Sequence, residues 1–235
     1  MHQPARPISI VRSASNALTS VELLNTATSE TYTVPCTSLV IAAGAWSSIV
    51  LQTLFPKSNM RAPISSLAGH SLILRSSHWP PPVLDATDPG PGRQECHAVF
   101  TTEAEGGYSP EIFSRMPNGE VYLAGLNSST YPLPKVANER VIDEKAIAVL
   151  KKTARRLCGD DVDIVREGLC WRPVTKRGTP IIAELNEVLG DDGKGTFLAA
   201  GHGAWGISLS LGTGYCVAGM VQRKDMSEHV GRLGF

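Results

Sequence analysis

The feature that most constrains this chain is TFLAAGHGAWGISLSLGTGYCVAG, residues 196–219, where six glycines fall within two dozen positions straight after an apolar run. Glycines at that density have two readings. They mark turns, or they let a ligand approach the backbone because no Cβ intervenes. Phe197–Ala200 predicts a strand and roughly Ser208–Arg223 a helix. This order sets a helix N-terminus at the strand's end, with unpaired N–H groups and about half a positive charge. On that geometry Gly201, Gly203 and Gly206 face a ligand, whereas Gly212 and Gly214, inside the helix, allow close packing on a sheet. A turn followed by a tightly packed helix is the alternative, and these residues alone leave it open.

SLVIAAGAW (Ser38–Trp46) forms a second junction of the same kind. Leu39–Ala43 shows no alternation, which predicts a strand covered on both faces. Gly44 ends it, and Ile49–Leu54 predicts a short helix. Strand–glycine–helix junctions are where α/β proteins bind cofactors. Three short strands precede it, at Ile8–Val11, Val21–Leu24 and Thr31–Val34.

From about Arg61 the texture changes. His70–Arg75 predicts a strand, and a proline-rich stretch, HWPPPVLDATDPGPGRQE, predicts a loop. Ala98–Thr102, Glu111–Arg115 and Glu120–Gly125 predict an antiparallel meander, with the Asn-Gly of Met116–Gly119 as a hairpin turn. Ala137–Gly159 is the clearest helix: Ile147, Leu150, Ala154 and Leu157 share one face, basic residues crowd the last turns, and Gly159 ends it. Strands at Val162–Arg172 and Pro180–Leu185 follow. No internal repeat is read.

Several chemistries are excluded. The 22 basic side chains balance 22 acidic ones, so no charge excess points to nucleic acid or an anionic membrane. The five cysteines are scattered and never form a CxxC pair, which argues against a disulfide framework or a zinc site and for a reducing compartment. MHQPARPISIVRS lacks the apolar core of a signal peptide, and no apolar run approaches membrane-spanning length, so a cytoplasmic protein without membrane insertion is expected. GISLS (Gly206–Ser210) fails the GxSxG pattern of a hydrolase elbow, and no Walker lysine follows a glycine loop. The six histidines are isolated, so no metal site is expected.

Three stretches together carry a family resemblance. LVIAAGAWSS (Leu39–Ser48), CWRPVTKRGTPII (Cys170–Ile182) and FLAAGHGAWGISLSLGTG (Phe197–Gly214) resemble, in order, recurring motifs of the FAD-dependent oxidoreductases of the D-amino-acid oxidase superfamily. The likeness is nearest to fungal members. It implies an α/β fold: an incomplete Rossmann-like FAD-binding domain (residues 1–60 and 161–235) with an inserted, mostly antiparallel α+β substrate domain (61–160). It also implies FAD as cofactor, a small amino acid or amine as substrate, and oxidation of a C–N bond with hydride transfer to the flavin. Gly44, Ala45, Gly201, His202, Gly203, Gly206 and Ile207 would lie against the cofactor, the helix after Gly206 stabilising the anionic reduced flavin. Trp46 reads as core.

In amino-acid-oxidising relatives the arginine of the Arg-Pro stretch binds the substrate carboxylate, a role that falls to Arg172 here, since a guanidinium grips a carboxylate bidentately. A structural ion pair is the alternative. Cys170 stands where sarcosine-oxidase-like members bond cysteine to flavin, against the alternative of an inert thiol. Tyr108, Tyr122 and Tyr131 are candidates to line a substrate cavity. The family's opening strand and GxGxxG, which hold the FAD pyrophosphate, do not occur, so the chain resembles the C-terminal part of such an enzyme. A binding module that keeps the fold without the cofactor is the competing functional reading.

Overall fold

The computed structural model describes residues 1–79, 97–102, 107–115 and 119–235. The chain is α/β and divides into two compact units, one made of Met1–Ser66 and Arg172–Phe235, the other of Leu67–Trp171. The proline-rich stretch, apart from its first two residues, Cys96 and the turn residues 116–118 lie outside the described residues.

The first unit holds two three-stranded sheets. β1 (Ala5–Arg12), β2 (Leu18–Asn25) and β3 (Thr31–Pro35) form an antiparallel meander with β2 in the centre. In the other sheet β12 (Thr196–Ala200) lies between β11 (Ile181–Glu184), antiparallel, and β4 (Leu39–Ile41), parallel. Alternation along β11 sorts its side chains onto two faces. Ile181 and Ala183 join Leu198, Leu51 and Leu54 in one core, the last two from α1 (Ser47–Leu54). Ile182 packs with Cys216 of α4 (Gly206–Val221) and with Met226. Helices therefore contribute to the cores on both faces.

The second unit is built on an antiparallel sheet ordered β10 (Asp163–Thr175), β5 (Ile64–Arg75), β8 (Glu120–Ala124), β7 (Glu111–Arg115), β6 (Ala98–Phe100), with β9 (Asn127–Ser128) also on β5. The chain passes between units within β5 and β10. Leu72, Leu74, Val121 and Leu123 are buried with Ile147, Leu150 and Ala154 of α2 (Glu144–Cys158). Two short helices, α3 (Asn186–Leu189) and α5 (Ser227–Val230), belong to the first unit.

Several expectations change. β4 has three residues rather than five, and Val40 is exposed, because among the described residues nothing covers the face of β4 to which it points. α2 starts at Glu144 instead of Ala137: Asp143, in an extended conformation, caps it by accepting the Lys145 N–H at 2.8 Å. Leu157, expected on the buried face, is exposed. Gly212 and Gly214 do not pack on the sheet, since open space surrounds the direction of a Cβ at both. The close-packed glycine of α4 is Gly219, where a Cβ would run into Met226. Gly203–Val221 also reaches, by length (19 residues) and mean hydropathy (1.2), the threshold of a membrane-crossing helix, and only 6% of its apolar window is buried. Glycine, serine and threonine interrupt the apolar residues, which hid that length from a count of unbroken runs.

His70 ties β5 to the start of α2. It is buried, and its Nε2 accepts the Asp143 backbone N–H at 3.2 Å, so the ring is neutral. Burial holds its pKa below the usual value, opposed by the Asp143 carboxylate. The unfolded chain takes up a proton near pH 6.5 that the folded chain resists, so stability rises with pH through this window. His70's contribution should be complete above about pH 6.5 and decline as the pH falls below it. Urea midpoints from pH 7.5 to 5 check this. A His70→Gln variant with the same slope as the parent would assign the loss to other groups.

Candidate functional site

β4 and β12 run parallel and are hydrogen-bonded neighbours, with Leu39, Val40 and Ile41 opposite Thr196, Phe197 and Leu198. The two strands therefore end side by side, and each ends the same way. After β4 comes Gly44-Ala45-Trp46, a single 3-10 turn that runs into α1; after β12 comes Gly203-Ala204-Trp205, a single 3-10 turn that runs into α4. Both leading glycines are left-handed, φ +55° and +58°, a conformation that costs an L side chain about 1–2 kcal/mol. The sequence shows this doubling openly, as AAGAW and AAGHGAW. The recurrence is shorter than any structural repeat, and so escapes a search for one.

Neither turn nor helix carries a side-chain N-cap. Two sets of N–H groups at helix starts are thus left to other partners at the carboxyl ends of adjacent parallel strands. Nothing lies within 4 Å of where a Cβ would sit at Gly44, and at Gly203 the nearest atom is Val174 Cγ1 at 3.9 Å. Both backbones are open to a ligand that needs close approach, which suits a flat ring system or a phosphate-bearing cofactor such as FAD.

The other candidates of this loop differ among themselves. Gly201 is buried with φ +90°, and a Cβ there would sit 2.7 Å from Thr175 Cγ2, so its own side faces protein. Gly206 has ordinary helical φ and only His202 Cβ nearby, at 3.8 Å. Ala45 is buried, Trp46 half-buried, and Ile207 exposed. The apolar side chains of Trp205, Ile207, Leu211 and Tyr215 are 65, 93, 87 and 66% exposed, an apolar surface around the start of α4.

His202 is the most connected of these residues. Its backbone bridges Val174 of β10, and its Nε2 lies 2.9 Å from Thr213 Oγ1. Burial holds its pKa below the usual value, so the ring is neutral near pH 7. The bridge brings β10 to the loop. Arg172, two residues before Val174 and half-buried, points to the same side of that strand as Val174. One strand step of two residues is about 6.6 Å, so Arg172 sits close to the glycine loop along the chain. Cys170, one further step back, is exposed and has a free thiol.

The tyrosines belong to the second unit. Tyr108 is buried and donates to Thr153 at 2.7 Å. Tyr122 packs beside Phe113, ring centroids 6.2 Å apart. Tyr131 donates to Asp143, meets the His70 ring edge-on, and lines with both a cavity of about 260 Å³. Among the described residues no cluster of three or more His, Cys, Asp or Glu is placed to hold a metal. Val174 and Thr213 were not legible as site residues, because nothing in their spacing marks them as partners of His202.

Known proteins match this chain along most of its length. The model of the FAD dependent oxidoreductase family matches residues 6–220. A Schizosaccharomyces pombe protein named as an oxidoreductase is 27% identical over 211 residues, covering 87% of this chain and 46% of its own. Glycine oxidase from Geobacillus kaustophilus superposes with a TM-score of 0.69 at 21% identity, over 99% of this chain and 52% of that one. Iminodiacetate oxidase from Chelativorans sp. BNC1 does so with a TM-score of 0.61 at 16% identity, over 96% and 51%. The chain spans about half the length of each of these relatives. With a family model matched from β1 almost to the end of α4, the chain belongs to the FAD-dependent oxidoreductases.

Proposed function

We propose that this chain is the flavin-ring and substrate-binding part of an enzyme that oxidises a C–N bond of a small amino acid or amine. The observation that carries the reading is the pair of Gly-Ala-Trp turns, left-handed at their glycines and uncapped at their helices, at the ends of two adjacent parallel strands. FAD, when bound, supplies the acceptor for the substrate's hydride. The chain's own residues do the rest. Gly44, Ala45, Gly203 and Gly206 offer backbone to the ring, together with the neighbouring Gly201, His202 and Ile207, and the start of α4 supplies positive potential for the charge that reduction leaves there. The Arg172 guanidinium binds and orients a carboxylate with two parallel hydrogen bonds. Leu67–Trp171 serves as the substrate domain. Family membership and the glycine and iminodiacetate oxidases among the structural neighbours support this substrate class.

The test is Arg172→Lys and Arg172→Ala in the full chain, with flavin content measured beside kinetics on a panel of amino acids and amines. Losing a desolvated charge contact costs about 2–5 kcal/mol. KM for carboxylate substrates should therefore rise at least tenfold in both variants, while flavin content and melting temperature hold. Unchanged KM values with turnover intact would assign Arg172 to a structural ion pair.

A further inference from the structure

The two Gly-Ala-Trp turns differ by an insertion. After Ala-Ala, the first continues directly with Gly44, whereas the second carries Gly201 and His202 before Gly203. Those two residues tie the second turn to its surroundings. Gly201 closes on Thr175, the His202 backbone bridges Val174, and the His202 ring reaches forward to the Thr213 hydroxyl two turns into α4. The helix start has no side-chain cap of its own. The Trp205 N–H donates to the His202 carbonyl at 3.0 Å, so fixing His202 fixes the turn.

We infer that Thr213 is a positioning residue: through the His202 ring it locks the Gly203–Trp205 turn in the conformation that leaves the uncapped N–H groups at the start of α4 to a ligand. A neutral imidazole has one donor and one acceptor nitrogen, and a hydroxyl can serve either, so the pair is complementary in both tautomers. The inference rests on the flavin reading only for the identity of the ligand.

Thr213→Val keeps the shape and removes the hydroxyl, and Thr213→Ser restores it. Hydrogen exchange of the Trp205 amide, which donates to the His202 carbonyl, reads the lock in the full chain without any cofactor. One neutral hydrogen bond corresponds to about a 2- to 10-fold change. Exchange there should accelerate by that factor in the valine variant and return to within twofold of the parent in the serine variant, with β11 and the last turn of α4 unaffected. Equal exchange in all three proteins, or acceleration spread over the whole first unit, would overturn the inference. FAD titration by fluorescence quenching is the second arm. Binding should weaken by a similar factor in the valine variant alone. A parent chain that binds no FAD while the exchange pattern holds would uphold the lock and count against the flavin reading.

Discussion

Gly125→Ala is expected to unfold the second unit under conditions where the parent is stable. Gly125 follows β8 with φ +110°, and a Cβ there would run into the carbonyl oxygen of Ser109 and come within 3.2 Å of the Glu111 amide nitrogen. Glu111 opens β7, whose ladder with β8 begins at Glu111 opposite Ala124. Relief therefore requires moving the backbone of a paired strand, in addition to the strain of a positive φ. The two effects together should cost more than about 3 kcal/mol. Gly69→Ala is the contrast: its nearest neighbour, at 2.7 Å, is the Asn127 side-chain oxygen, which can rotate away. A urea series on both variants decides the matter. A Gly125→Ala midpoint as close to the parent as that of Gly69→Ala would show that β7 yields without penalty.

Phe197→Ala carries the second large effect. β12 is buried at all five positions, and Phe197 is among the largest fully buried side chains. It lies opposite Glu184 on one side and Val40 on the other. Truncation leaves a cavity on the sheet face to which Phe197 points, and the ladders on both sides of β12 keep its backbone from moving in to fill it. The cost should be about 3–5 kcal/mol. At roughly 2–4 °C for each kcal/mol, melting should fall by about 10 °C. Calorimetry on the purified variant checks this, and a drop of only a degree or two would mean that the sheet closes over the gap.

Much of this architecture is legible along the chain, because period and punctuation act locally. The alternation of β3, the helical face of Ile147, Leu150 and Ala154, and the stop at Gly159 are all set by neighbours within a few residues. What escapes is whatever depends on a distant partner. Leu39–Ala43 looks like a strand covered on both faces, yet Val40 is exposed because no described residue covers its face of β4. Gly201 is expected to face a ligand, and Gly212 and Gly214 to pack on the sheet. One faces Thr175, and two face open space. The candidate site follows the same rule: its glycines and His202 announce themselves by density and order, whereas Val174 and Thr213 are ordinary residues made important by the fold.

The exposed start of α4 bears on how the protein behaves at the bench. Trp205, Ile207, Leu211 and Tyr215 present apolar surface with no charged residue anywhere between Gly203 and Val221. Contiguous surface of that character marks interaction sites, and it is also what excluded salts press together. On a phenyl column in ammonium sulfate the chain should be retained well beyond what its balanced charge and ordinary composition suggest. Ile207→Lys, adding a charge where no packing is lost, should bring it off the column early without lowering its melting point.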